Sequence, residues 1–135
     1  MKPELVYLDS SALVKIVVGE KGSEALRAFV GANAARVTSA VAVTEVRRAV
    51  GRLPGRHAHA DRARLVLDGV ALLVVDTEIL ERAARLGPPE LRTLDAIHVA
   101  SALSLGPDLL AFVTYDARQR EAARKAGLPV LTPRE

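Results

Sequence analysis

Four carboxylates, Asp9, Glu45, Asp95 and Asp116, stand where packing has no use for them. Asp9 closes the apolar run Leu5-Val6-Tyr7-Leu8 and is followed at once by Ser10 and Ser11; Asp116 closes Ala111-Phe112-Val113-Thr114-Tyr115 in the same manner. Glu45 and Asp95 each interrupt a long, otherwise apolar helical pattern. Carboxylates that converge repel one another until a divalent cation neutralises them, so the pattern points first to a metal site. The chain has no cysteine, which excludes disulfides, a thiolate nucleophile and thiolate metal ligands. Any metal must be held by oxygen or imidazole.

Plainer readings of the same acids stay open at this level. Asp116-Ala117-Arg118-Gln119 has capping-box spacing. Asp95 could complement the dipole of a helix that starts after Thr93, and Asp9 before two serines could be a plain strand-to-helix turn. Glu45, ahead of Arg47 and Arg48, could simply be exposed. All four plain readings together require four independent accidents at one edge of the fold.

The elements that must position these acids alternate. Residues 5–9 read as a buried strand, and Ser10 or Ser11 as the cap of a short helix running to 18. After a turn at 19–22, Ser23 opens a helix over 24–31, and 36–39 is a short strand with Ser39 placed to cap the helix that holds Glu45. Pro54-Gly55 breaks that helix, and another covers 57–68. A buried strand is expected at 70–75, then a helix over 78–86 capped by Asp76 or Thr77, and then a loop at 87–89. Thr93 caps a helix reaching 105, 110–115 is a strand, Asp116 begins a helix ending at Gly127, and 129–131 is a last strand. Strand and helix in alternation predict an α/β fold, a mostly parallel central sheet with helices on both faces, and a ligand crevice at the carboxyl ends of the strands.

Length and charge set the frame. With 135 residues, half of them hydrophobic, one domain over 1–135 is expected. No apolar run approaches the roughly 18 residues of a membrane span. Met1-Lys2-Pro3-Glu4 leads straight into a strand-like run, not a signal peptide, so a cytoplasmic location with no membrane partner is expected. Lys and Arg number 19 against 16 Asp and Glu. The stretch 47–64 holds Arg47, Arg48, Arg52, Arg56, Arg62 and Arg64 with only Asp61 opposing them. Guanidinium groups suit bidentate phosphate contact, although a solvated helix face has the same composition. Aromatic residues are scarce, so a bound nucleic acid would be held by backbone charge and shape more than by stacking.

The segments Val6-Tyr7-Leu8-Asp9-Ser10-Ser11-Ala12-Leu13-Val14-Lys15, Thr44-Glu45-Val46, Thr93-Leu94-Asp95-Ala96-Ile97-His98-Val99-Ala100-Ser101-Ala102 and Val113-Thr114-Tyr115-Asp116 resemble, in order, the acidic motifs of PIN-domain ribonucleases of the VapC toxin type. The resemblance implies a PIN-like α/β/α sandwich. It also implies a metal-dependent endoribonuclease acting as the toxin of a toxin–antitoxin pair, hydrolysing phosphodiester bonds in RNA. By the same resemblance Asp9, Glu45, Asp95 and Asp116 are the catalytic and metal-binding carboxylates. Hard oxygen donors of this kind suit Mg²⁺ or Mn²⁺ better than zinc.

Within that resemblance Asp9 and Asp95 are expected as direct ligands and Asp116 as a direct or water-mediated one. Glu45 is expected to hold or activate a water. Ser10 and Thr114 are supporting hydroxyls, and Lys15, Arg47, Arg48, Arg92 and Arg118 are candidate RNA contacts. His98 is assigned a packing or surface role, and His57 and His59 a surface or RNA-contact role. Implied partners are an RNA substrate, a second copy of the chain and a VapB-type antitoxin. The antitoxin segment would lie in an apolar groove whose candidate walls are Leu13, Val14, Ile16 and Val17, with Val43, Val46 and Val50 opposite. Two other readings are a PIN scaffold that binds RNA or a partner without cutting and a receiver-like domain with Asp76 as phosphoacceptor. The second is weakened because Asp9 lacks a paired acid.

Overall fold

Leu5-Val6-Tyr7-Leu8 is apolar on both faces because it runs through the middle of the molecule. The computed structural model describes residues 3–32 and 35–134; Met1 and Lys2 of the start considered above lie outside the described residues. Among these, β1 (Leu5–Leu8) is followed by α1 (Ser10–Val18), α2 (Ser23–Ala32), β2 (Ala35–Ser39), α3 (Val41–Gly51), α4 (Arg56–Asp68) and β3 (Ala71–Leu73). The chain then forms α5 (Thr77–Ala84), α6 (Thr93–Leu103), a 3₁₀ turn over Gly106–Asp108, β4 (Leu109–Val113), α7 (Ala117–Lys125) and β5 (Val130–Leu131). Five strands pair in parallel in the order β3-β2-β1-β4-β5.

That order fixes where a site can be. From β1 the chain winds outward through β2 to β3, then crosses back to lay β4 on the other side of β1. The crevice between the carboxyl ends of β1 and β4 is therefore the switch point of the sheet. Val6, Leu8, Ala111 and Val113 face one layer, made by Leu13, Leu26, Val46 and Leu67 of α1 to α4. Tyr7, Val37 and Phe112 face the other, with Val99 of α6 and Ala122 of α7. Tyr7 and Phe112 stack with ring centroids 5.2 Å apart. This is the α/β/α sandwich expected from the alternation.

Several local details differ from expectation. Asp9 itself caps α1, not Ser10 or Ser11, and Ala40 directly precedes α3, where the Ser39 hydroxyl accepts the Val41 amide at 3.3 Å from one residue further out. Arg92, not Thr93, precedes α6 and makes no cap bond. The apolar run 70–75 yields a three-residue edge strand; Ala71 and Leu72 are exposed and Val74 is 77% exposed. A continuous apolar run reads as a strand covered on both faces, but here Leu73 and Val75 are only partly buried against the core and Ala71, Leu72 and Val74 stay exposed at the sheet edge.

Candidate functional site

The turn after β1 and the loop after β4 are tied together by hydroxyls. Asp9 is buried, and its Oδ1 accepts the Ala12 amide at 3.0 Å and the Ser11 hydroxyl at 2.6 Å. Its Oδ2 accepts the Thr114 hydroxyl. Ser11 Oγ accepts the Tyr115 amide at 2.9 Å, and Thr114 Oγ1 accepts the Asp116 amide at 3.1 Å. Asp116 Oδ1 accepts the Gln119 amide at 3.0 Å and so caps α7. The capping readings of Asp9 and Asp116 therefore hold. They do not compete with a role in a site, because Asp116 Oδ2 remains turned toward Arg92.

Two helices deliver the other acids to the same crevice. In α3 the residues Ala42, Val46 and Val50 are buried, which leaves Glu45 at the margin of the apolar stripe. Glu45 Oε1 accepts the Ser10 hydroxyl at 2.8 Å and lies 2.6 Å from His98 Nε2. In α6 every residue from Ala96 to Ala102 is buried, and Asp95 stands in the first turn, where the helix dipole favours a carboxylate. Arg92 reaches over both remaining acids, with Nε 3.5 Å from Asp95 Oδ2 and Nη2 3.8 Å from Asp116 Oδ2, while staying 65% exposed.

Asp9, Glu45, Asp95 and Asp116 line one cavity of about 360 Å³, together with Ser10, His98 and Gln119. Its electrostatics follow from crowding. Burial raises the Asp9 carboxyl above its ordinary value, against the charge of His98 and the donors Ser11, Thr114 and Ala12. Burial also raises Asp95, reinforced by the neighbouring charges of Asp116 and Asp9 and opposed by Arg92 and His98. For Glu45 burial acts upward too, but the hydrogen bond from His98, the charge of that ring when it is protonated, and the Ser10 hydroxyl leave it below the usual carboxylate range. Burial and the Asp9 charge drive the Tyr7 phenol upward, so it remains a hydroxyl.

The donor set fits a hard divalent cation, as carboxylate oxygens dominate it. Asp95 Oδ2 is buried with no hydrogen bond, only the Arg92 ion pair at 3.5 Å, and such an under-satisfied acceptor is one that a cation would satisfy. Among the described residues, however, no three carboxylate or imidazole groups are gathered closely enough to hold a metal as the side chains stand. The hydrogen bonds explain why: Asp9 is turned to Ser11 and Thr114, Glu45 to Ser10 and His98, and Asp95 and Asp116 to Arg92.

A second cavity, of about 890 Å³, adjoins the first through Ser10, Ser11, Glu45 and Leu94. Val14, Val41 and Ala49 give it apolar walls, and Lys15, Arg48 and Arg52 give it positive charge. Lys15 Nζ sits 4.7 Å from the centroid of the Tyr115 ring. Of the expected RNA contacts, Lys15 and Arg48 are here and Arg92 is at the acidic cavity. Arg47 lines neither, and Arg118 lines a separate cavity beside Glu90 and Glu121. Of the expected groove walls Val14 lines this cavity, whereas Leu13, Val17, Val46 and Val50 are core. His57 and His59 lie on α4, away from both cavities, and Asp76 caps α5 by accepting the Ile79 amide at 2.9 Å.

Sequence reasoning did not single out Ser11 or Gln119 as site residues, and it counted Arg52 only within the Arg-rich stretch; His98, given a packing or surface role, is 1% exposed and also lines the cavity. Ser11 carried a signal that was read only as a cap. The motif phase placed His98 one turn from Asp95, but nothing local disclosed its partners.

Residues 6–125 match the family model described as PIN domain. Ribonuclease VapC46 of Mycobacterium tuberculosis is 46% identical over 128 residues, 95% of this chain and 97% of that protein. The chain belongs to the PIN-domain family, on its VapC branch. Ribonuclease VapC47 of the same species is 35% identical to this PIN domain over 96% of the chain and 97% of the relative. Among solved structures, Mycobacterium tuberculosis VapC20, described as a sarcin–ricin loop cleaving toxin, superimposes with a TM-score of 0.73 at 18% identity over 96% of this chain and 99% of that one. The toxin–antitoxin complex from Klebsiella pneumoniae gives 0.69 at 20% identity over 96% and 98%. At these identities the two structures speak for the fold.

Proposed function

We propose that this chain is a metal-dependent endoribonuclease, the toxin of a toxin–antitoxin pair, acting on RNA in the cytoplasm. The observation that carries the reading is the meeting of Asp9, Glu45, Asp95 and Asp116 in one cavity at the switch point of the sheet, in a chain 46% identical to Ribonuclease VapC46. Among the described residues no helix is long and apolar enough to cross a membrane. The 135 residues are read as one domain, since the family match spans 6–125 and the sheet takes strands from both ends.

Asp9, Asp95 and Asp116 are the residues that would hold Mg²⁺ or Mn²⁺. When bound, the cation supplies charge stabilisation for the phosphodiester and lowers the pKa of water. The rest is done by side chains of this chain. Glu45, held below the usual carboxylate range, stays ionised and orients or takes a proton from the attacking water. Arg92, largely exposed above Asp95 and Asp116, exchanges those carboxylates for a phosphate oxygen of the substrate. Lys15, Arg48 and Arg52 hold the RNA backbone alongside, in the larger cavity. Its apolar walls and positive rim also suit an amphipathic antitoxin segment that excludes RNA. Leu72 and Val74, exposed at the sheet edge, support pairing of two copies.

A non-cleaving RNA-binding scaffold is the second reading, favoured by the carboxylates being engaged and not gathered. Purified antitoxin-free protein incubated with total RNA and Mg²⁺ or Mn²⁺, beside EDTA and Asp9→Asn controls, separates the two. Discrete metal-dependent fragments that vanish in the variant are expected; intact RNA with binding retained favours the scaffold.

A further inference from the structure

A chain of hydrogen bonds runs from the backbone of β2 through the core to Glu45. The Ser39 amide donates to Tyr7 Oη at 3.1 Å, and Tyr7 Oη lies 2.6 Å from His98 Nδ1. His98 Nε2 lies 2.6 Å from Glu45 Oε1, which also accepts the Ser10 hydroxyl. Tyr7 is 0% and His98 1% exposed, so water does not compete for these bonds. Five elements, β2, β1, α6, α3 and α1, each contribute one member.

The directions of the bonds follow from chemistry. Glu45 is ionised and its carboxylate can only accept, so His98 Nε2 carries the hydrogen between them. The Ser39 amide can only donate, so Tyr7 Oη accepts from it and gives its own hydrogen to the lone pair that a neutral ring leaves on Nδ1. The neutral ring is therefore the Nε2–H tautomer, donating to Glu45 Oε1. Oε1 then receives two donors, and Oε2 is left to act in the cavity. The ring is clamped as well as hydrogen-bonded, since Tyr7 and His98 meet edge to face with centroids 5.8 Å apart, and Tyr7 is stacked on Phe112.

We propose that Tyr7 and His98 are positioning residues: Tyr7 fixes the tautomer of His98, and His98 in turn fixes the orientation of the Glu45 carboxylate. The inference rests on the ribonuclease reading for its consequence, but not for its geometry. His98 touches no substrate in this account. It acts through Glu45 as an outer partner acts on a ligand or base, where loss costs about 10- to 100-fold.

The test has two arms. Imidazole ¹⁵N spectra of the free wild-type protein at neutral pH should show His98 as the Nε2–H tautomer, and Tyr7→Phe should relax it toward a mixture. In cleavage assays at saturating Mn²⁺, His98→Leu should lower kcat about 10- to 100-fold with KM little changed. His98→Gln, whose amide can supply the same donor to Glu45, should recover most of that loss, and Tyr7→Phe should lose less than His98→Leu. An Nδ1–H tautomer in the wild type overturns the proposal. So does a His98→Leu kcat within twofold of wild type, or a His98→Gln as impaired as His98→Leu. Should His98→Leu fail to fold, Tyr7→Phe carries the kinetic arm. A wild-type protein that cuts no RNA sinks the ribonuclease reading instead and leaves the spectra to decide this one.

Discussion

The two adjoining cavities share a wall but differ in almost every physical respect. The smaller is lined by four carboxylates whose oxygens are engaged by Ser11, Thr114, Ser10, His98 and Arg92. The larger has apolar walls and three cations, Lys15, Arg48 and Arg52, of which none is ion-paired to a carboxylate among the described residues. Preorganised, desolvated groups of one sign suit chemistry. Solvated groups of the other sign suit holding a polyanion. On the proposed reading turnover belongs to one cavity and affinity to the other, with Ser10, Ser11 and Glu45 between them.

The largest expected effect breaks the acidic side. Asp95→Asn keeps the shape of the first turn of α6 but removes charge from the cavity, and RNA cleavage should fall below detection while RNA binding measured by filter retention is kept or strengthened. A variant that still cuts removes Asp95 from the chemistry. On the basic side, the pair Arg48→Ala with Arg52→Ala should raise KM for RNA several-fold and leave kcat near wild type. The log–log salt dependence of binding should flatten by about 0.7 for each phosphate that the variant no longer neutralises. An unchanged salt slope would place the RNA elsewhere.

A smaller effect concerns stability. The folded-state pKa of Asp9 is raised by burial, so ionising it costs stability. The cost is absent below the unfolded pKa, develops as pH rises above it and is complete above the folded pKa. Asparagine keeps the helix cap without the charge. In EDTA at neutral pH, Asp9→Asn should therefore melt a few degrees above wild type by calorimetry, and the gap should close toward pH 3. A lower melting temperature at neutral pH would show that the hydroxyl network outweighs the burial cost. The smallest effect is a null: Arg118→Ala, at a separate cavity with Glu90 and Glu121, should leave KM and kcat within twofold.

The contrast between the cavities also marks what the sequence disclosed. The acids were legible because a carboxylate ending an apolar run, as Asp9 does, or interrupting an apolar helix, as Asp95 does, contradicts its surroundings. The layers were legible from the alternation of strand and helix. The strand near Ala71–Leu73 was placed, but its shortness and exposure were not foreseen, since an edge strand carries the same apolar run as a central one. The hydrogen bonds of His98 were hidden because its partners Tyr7 and Glu45 lie 91 and 53 residues away, beyond any local periodicity. Which cavities Arg52 and Arg118 line was hidden for a related reason. Whether an exposed guanidinium turns to one cavity or another depends on how helices pack, not on the residues beside it.

Manganese binding to the RNA-free protein tests the division of labour most directly. Titration calorimetry should show Mn²⁺ binding to wild type, its loss in Asp9→Asn and Asp95→Asn, and its retention when Arg48 and Arg52 are both changed to Ala. Wild-type protein that binds no Mn²⁺, or an Asp95→Asn variant that binds it unchanged, would contradict the account.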